Sequence, residues 1–198
     1  MLKIGLTGGI ASGKTQISNL FRQLKTPIID TDIISRETLE PGQSGYLAIL
    51  NHFGTNIVLD DAKIDRRKLR QLVFNDTAAK QWLELALHPI IFEQSQQQIA
   101  RHNQKKYIVV VIPLLFETNF SKLVDRVLVV DCGNHTQIER LILRDKIDAV
   151  LAQKMIDHQW SNQKRINRAD DIIHNNNNED LNYQVISLHQ KYLALSDQ

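Results

Sequence analysis

The segment Gly8-Gly9-Ile10-Ala11-Ser12-Gly13-Lys14-Thr15 fits the pattern G-x-x-x-x-G-K-[ST]. It lies between an apolar run at residues 2–6 and a stretch in which Ile17, Leu20, Phe21 and Leu24 recur at helical spacing. A glycine-rich loop joining a strand to a helix leaves few folds open. The helix N-terminus turns its free N–H groups towards anionic oxygens. Lys14 adds a positive charge near the β and γ phosphates, and the Thr15 hydroxyl is placed to ligate a magnesium ion bridging them. The pattern predicts a bound nucleoside triphosphate, held by Gly9, Ile10, Ala11, Ser12, Gly13, Lys14, Thr15 and Gln16.

Four more apolar stretches, at residues 27–29, 107–112, 126–130 and 171–173, read as strands, and the longer two are continuous in Val, Ile and Leu. Runs of that kind suit strands buried on both faces, and helical segments between them supply the crossovers that parallel strands need. The expected fold is α/β, a P-loop NTPase-like parallel five-stranded sheet flanked by helices. With 198 residues and 42% hydrophobic content, the chain suffices for one domain with a substantial core.

About seventy residues separate the second and third strands, far more than one crossover helix uses. Helical patterning at residues 33–39, 46–53, 69–74 and 78–102 predicts an inserted helical subdomain, with His88-Pro89 ending one helix and starting the next. Residues 136–146 and 149–160 read as two helices joined near Asp148, candidates for a lid. Asn175-Asn176-Asn177-Asn178 is a polar loop, and residues 181–195 form a closing helix. The division expected is a single domain with core 1–30, 106–133 and 169–198, substrate-binding helical insertion 31–105 and lid 134–168.

Charge and cysteine content narrow the class. The 24 basic and 22 acidic side chains balance to +2, which does not mark a general nucleic-acid binder. The lone Cys132 leaves no intramolecular disulfide and fits a reducing compartment. Met1 runs almost directly into the first strand, without room for a signal peptide, and no apolar run reaches membrane-span length. A cytoplasmic protein that binds no membrane, monomeric or weakly homo-oligomeric, is expected.

Several side chains carry the candidate chemistry. Asp30-Thr31-Asp32 ends the second strand at the carboxyl edge of the sheet, where a carboxylate accepts a proton from an attacking hydroxyl or organises magnesium, or else caps the following helix. Arg140 and Arg144 share a helix face and suit a clamp on a phosphate chain, with Arg165 a third candidate and Asp145 an internal partner of Arg144. Arg66 or Arg70, in the basic run at residues 66–70, is a candidate contact for an anionic acceptor, and His88 is as well suited to packing as to ligand contact. Glu117, after the third strand, is a candidate for organising water around magnesium or for orienting its loop.

The chain resembles the dephospho-coenzyme A kinases along almost its whole length. The matching residues run from Leu6 to Thr15, then Asp30-Thr31-Asp32, Arg36, Pro41-Gly42, Phe53-Gly54, Arg66, Leu69, Val73-Phe74 and His88-Pro89. They continue through Pro113-Leu114-Leu115, Glu117, Gln137, Arg140, Arg144-Asp145, Gln159, Ala169-Asp170 and Asn175. The resemblance implies transfer of the γ-phosphoryl group of ATP, with Mg2+, to the ribose 3′-hydroxyl of dephospho-coenzyme A, the last step of coenzyme A synthesis. It implies Asp32, Lys14 and Arg140 as catalytic residues, Arg144 on the nucleotide, and Asp32, Arg66 and His88 at the acceptor.

Three positions depart from the family pattern: Ala11 stands where glycine is common, Gln16 replaces a small hydroxyl residue, and Met155 replaces an arginine. Alanine at position 11 is tolerated at negative φ and strained at positive φ. A regulatory GTPase would need an N-K-x-D guanine-reading motif, which the sequence lacks. A nucleoside monophosphate kinase would share the loop, insertion and arginines, but its phosphate acceptor needs no strong base. A plain ATP-binding scaffold would not account for acids and arginines on both sides of the phosphate path.

Overall fold

A computed structural model describes residues 1–176 and 180–197; the expected loop residues Asn177 and Asn178 lie outside this range. Strands β1 (Leu2–Gly8), β2 (Ile28–Asp30), β3 (Tyr107–Val111), β4 (Arg126–Asp131) and β5 (Asp171–His174) form one sheet in the order β2-β3-β1-β4-β5. Every pairing is parallel, with Leu6 opposite Val111 on one side and Leu128 on the other. The chain leaves β1 towards β2 and leaves β3 in the opposite direction towards β4. The carboxyl end of β1 is therefore the switch point where α/β sheets receive ligands.

Among the described residues, nine α-helices accompany the sheet: α1 (Lys14–Gln23), α2 (Thr31–Glu37), α3 (Ser44–Phe53), α4 (Arg66–Asn75), α5 (Thr77–Ala100), α6 (Asn134–Asp145), α7 (Ala149–Asp157), α8 (Asn162–Ile166) and α9 (Leu181–Leu195). They divide between two compact units, Met1–Asp30 with Ile99–Gln198, and Thr31–Gln98.

In the first unit, Ile4 and Leu6 of β1, Tyr107, Val109 and Val111 of β3, and Leu128 and Val130 of β4 present one sheet face. Ile17 and Phe21 of α1 and Val185 and Tyr192 of α9 cover it. The opposite face is also buried, at Ile108, Val110 and Val129. Burial on both sides is why β3 shows no apolar–polar alternation in sequence.

At the start of β5, the carboxylate of Asp171, 4% exposed, accepts from Arg126 Nε at 2.6 Å, Lys191 Nζ at 2.5 Å and the Tyr192 hydroxyl at 3.1 Å. Burial alone would raise its pKa, but the two cations outweigh burial and hold the carboxyl below its ordinary range.

The second unit is helical around Ile34, Tyr46, Ile49, Ile57, Ile64, Leu69 and Leu87. Asp65 caps α4, accepting from Arg67 N and Lys68 N at 3.0 Å each. His52 stacks on Trp82 with ring centroids 3.7 Å apart.

Two helical boundaries differ from expectation. His88-Pro89 does not end a helix, because α5 runs unbroken through Pro89. Proline lacks the N–H that would bond the carbonyl of Leu85. Leu85 is 76% exposed, so that turn faces solvent, which can hydrogen-bond the freed carbonyl. α7 stops at Asp157 rather than continuing to residue 160, and His158 caps it with Nδ1 2.7 Å from the Lys154 carbonyl. The short α8 then starts afresh, capped by Ser161, whose hydroxyl accepts from Lys164 N at 3.3 Å.

Candidate active site

The phosphate loop leaves β1 at Gly8 and enters α1 at Lys14. Gly13, at φ +95° and ψ 24°, is the N-cap residue of α1, and a Cβ on it would collide with Asn175 Nδ2. Only glycine meets both the left-handed backbone and that close approach. Lys14 Nζ donates to the carbonyls of Gly8 and Gly9, each at 2.9 Å, which folds the side chain back over the loop. Its ammonium is thereby held at the loop. Thr15 and Gln16 are exposed in the first turn of α1.

Ala11 lies at φ +56°, so alanine here adopts the strained of its two alternatives. Side chains from other elements hold the loop in that shape. Ile10 N donates to Gln159 Oε1 at 2.8 Å, and the Ile10 carbonyl accepts from Gln137 Nε2 at 2.6 Å. Arg140 of α6 donates through Nη1 to the carbonyls of Ala11 and Ser12 at 3.4 and 3.5 Å, and through Nη2 to the Asn175 carbonyl at 3.1 Å. Asn175 Nδ2 donates to the Ser12 carbonyl at 2.8 Å. Arg140 is thus brought to the loop through its backbone carbonyls.

Arg144, four residues on, is not in this group. Its guanidinium forms two bonds to Asp145, both 2.8 Å, at an exposed position. That bidentate pair holds the Asp145 carboxyl below its ordinary range and raises the guanidinium, with burial opposing. Arg165 is buried, 2% exposed, rather than presented as a third open cation. Its Nη2 lies 3.4 Å from Glu117 Oε1 and 3.3 Å from Gln159 Oε1, and its Nε is buried without a hydrogen-bond partner among the described residues. Burial lowers the guanidinium pKa and the Glu117 carboxylate counters it. Glu117 also accepts from Trp160 N at 3.3 Å. Trp160 stacks on Phe116 with ring centroids 5.5 Å apart, and Lys164 Nζ sits 3.6 Å from the indole centre.

The remaining candidates belong to the helical unit. Asp32 is exposed in the first turn of α2, two residues beyond the end of β2. Arg66 starts α4, with Nη2 3.4 Å from the Arg36 carbonyl and 3.9 Å from Glu40 Oε1. His88 is half-buried in the middle of α5.

The supporting role of Gln137, Gln159, Asn162 and Asn175 does not follow from the sequence patterns above. One signal for it exists. Gln137 precedes the buried Leu141 by four residues, so α6 places an amide on its apolar face, where only a specific partner repays burial.

A family model described as dephospho-CoA kinase matches residues 2–180. The dephospho-CoA kinase of Vibrio parahaemolyticus serotype O3:K6 is 47% identical over 196 residues, covering 98% of this chain and 96% of that protein. That of Shewanella oneidensis is 43% identical over 194 residues, covering 98% and 94%. The solved structure of dephospho-CoA kinase from Campylobacter jejuni superposes with a TM-score of 0.74 at 26% identity, covering 97% of both chains. A phosphate loop at the switch point of a five-stranded parallel sheet, joined to full-length similarity of this order, leads to one conclusion: this chain belongs to the dephospho-CoA kinase family.

Proposed function

We propose that the chain transfers the γ-phosphoryl group of ATP to the ribose 3′-hydroxyl of dephospho-coenzyme A, giving coenzyme A and ADP. The observation that carries this reading is the loop at residues 8–15, with Lys14 folded over it and α1 opening from it, within a chain of this family. Binding begins with the N–H groups of the loop, which meet the phosphate oxygens while the α1 dipole adds to the attraction. Lys14 exchanges the two carbonyls it holds for phosphate oxygens as charge grows on the transferring group.

Magnesium fits this donor set. The Thr15 hydroxyl is one exposed oxygen, and among the described residues no group of three His, Cys, Asp or Glu is arranged to hold an ion. An ion held by Thr15 and the nucleotide's own oxygens suits the preference of Mg2+ for phosphate and water. Bound there, it would neutralise charge on the β and γ phosphates.

Asp32 takes the proton of the attacking hydroxyl, and Arg66 and His88 serve the acceptor. In this division residues 31–105 bind the acceptor and residues 134–168 act as a lid, Arg140 supplying positive charge at the loop. Arg144 reaches the nucleotide only by leaving Asp145, so its contribution depends on that exchange. A lid that excludes water favours the acceptor over hydrolysis.

The test is regiochemical. Dephospho-coenzyme A should be phosphorylated at the 3′-oxygen alone, and its 3′-deoxy analogue should bind without turnover. Phosphorylation of the analogue, or of a phosphate group instead of a hydroxyl, would exclude the proposed reaction.

A further inference from the structure

The tip of the phosphate loop is held by amides that are themselves oriented by one buried guanidinium. Arg165 Nη2 donates to Gln159 Oε1 at 3.3 Å, and the same oxygen accepts from Ile10 N at 2.8 Å. Arg165 Nη1 donates to Asn162 Oδ1 at 3.5 Å, which turns Asn162 Nδ2 towards Gln137 Oε1 at 3.1 Å and the Cys132 carbonyl at 2.5 Å. With its oxygen occupied in this way, Gln137 presents Nε2 to the Ile10 carbonyl at 2.6 Å. A guanidinium only donates, so each amide downstream of it has one orientation that satisfies its partners. Two arms leave Arg165 and close on the N–H and C=O of one residue. Glu117 supplies the countercharge at 3.4 Å.

The Gln137 arm also grips the turn at Ala11. The Ile10 carbonyl belongs to the peptide before Ala11 and is held by Gln137; the Ala11 carbonyl belongs to the peptide after it and is held by Arg140 at 3.4 Å. The backbone dihedrals of Ala11 lie between those two peptide planes, so fixing both planes fixes the dihedrals. Those dihedrals include φ +56°, which an L-alanine avoids when left to itself. Strained backbone of this kind persists when the surroundings over-determine it.

We propose that Arg165, Asn162 and Gln137 are positioning residues that, with Arg140 on the following peptide, hold Ala11 left-handed, Gln159 anchoring the peptide before Ile10, and so set the shape of the loop that meets the nucleotide. The inference rests on the kinase reading only in that the loop binds nucleotide phosphate. A network that merely tied α8 to the core would not be coupled to the residue at position 11. A clamp that restrains Ala11 would be, because glycine adopts the left-handed turn unaided.

The test is a double-mutant cycle on the full chain, with ATP and magnesium titrated calorimetrically. Gln137→Leu removes the donor to the Ile10 carbonyl and should weaken ATP binding about 10-fold, within the range expected when a buried acceptor loses its partner. In the Ala11→Gly background the same change should cost no more than about 3-fold, and the difference is the coupling. Asn162→Ala, which frees the Gln137 amide to turn, carries the same test should Gln137→Leu fail to fold. Steady-state assays should show the change in KM for ATP, with KM for dephospho-coenzyme A within about 2-fold of wild type. Equal losses with alanine and with glycine at position 11, or unchanged ATP affinity in both single variants, would overturn the clamp. A wild-type protein that showed the coupling yet turned over no acceptor would refute the kinase reading and leave the clamp intact.

Discussion

Replacing Gly13 with alanine measures how much of the loop is held by contact and how much by backbone conformation. The left-handed φ of +95° costs an L-residue about 1–2 kcal/mol. The added Cβ falls on Asn175 Nδ2, and Asn175 is itself 2% exposed, so its amide has no solvent to move into. Displacing it breaks the 2.8 Å bond to the Ser12 carbonyl and leaves buried polar groups unpaired, a further cost of about 1–3 kcal/mol. The sum is about 2–5 kcal/mol.

Gly42 supplies the control, since it lies at φ +84° in the turn closed by Gln43 N and the Glu40 carbonyl at 3.0 Å, and a Cβ added to it would meet nothing within 4 Å among the described residues. Gly42→Ala should therefore cost the backbone part alone, about 1–2 kcal/mol. At about 2–4 °C per kcal/mol for a chain of this size, thermal melts should show a loss of about 2–8 °C for Gly42→Ala and about 4–20 °C for Gly13→Ala. Calorimetric titration should show ATP affinity reduced in Gly13→Ala and unchanged in Gly42→Ala. Equal melting losses, or a Gly13→Ala protein that binds ATP like wild type, would refute this packing of Asn175 against the loop.

Three further outcomes follow from the structure. Asp171→Asn removes a carboxylate that takes bonds from Arg126, Lys191 and Tyr192, and should lower stability at pH 7 by about 2–3 kcal/mol, read from denaturant titration. Because the folded-state pKa of Asp171 is depressed, its contribution is complete above the unfolded carboxyl value of about 3.9 and is lost as pH falls through the folded value. The stability difference between wild type and Asp171→Asn should accordingly shrink below about pH 4; a constant gap down to about pH 2 would contradict the assignment. Lys14→Ala should reduce kcat/KM for ATP by about 100-fold or more, as expected for loss of a charge on the transferring group, and an unaffected rate would remove the loop from the reaction. Asp32→Asn should lower kcat by about 10²–10⁴-fold with ATP affinity unchanged in equilibrium titration, and unaltered turnover would end its role as base.

The sheet and the loop were legible because their signals are local. Residues 2–15 combine an apolar run, a glycine pattern and the start of a helical repeat, and β3 and β4 are long runs of branched apolar side chains. Pro89 misled because proline signals a break only where the lost bond cannot be replaced, and its turn faces water at Leu85. The end of α7 and the start of α8 depend on caps by His158 and Ser161 that a hydrophobic repeat does not register. The side chains around Ile10 come from residues 117, 137, 159, 162 and 165, and their meeting is a property of the sheet order. Arg165 looks like an ordinary basic residue of a polar stretch until the fold brings Glu117 from the loop after β3, Gln159 from the link before α8 and Asn162 of α8 to it.

The most direct measurement is the acceptor dependence of ADP formation by the purified chain with ATP and magnesium. Little ADP should form without acceptor, and ADP and coenzyme A should appear in equal amounts when dephospho-coenzyme A is added. ADP release that is indifferent to dephospho-coenzyme A would contradict the proposed transfer.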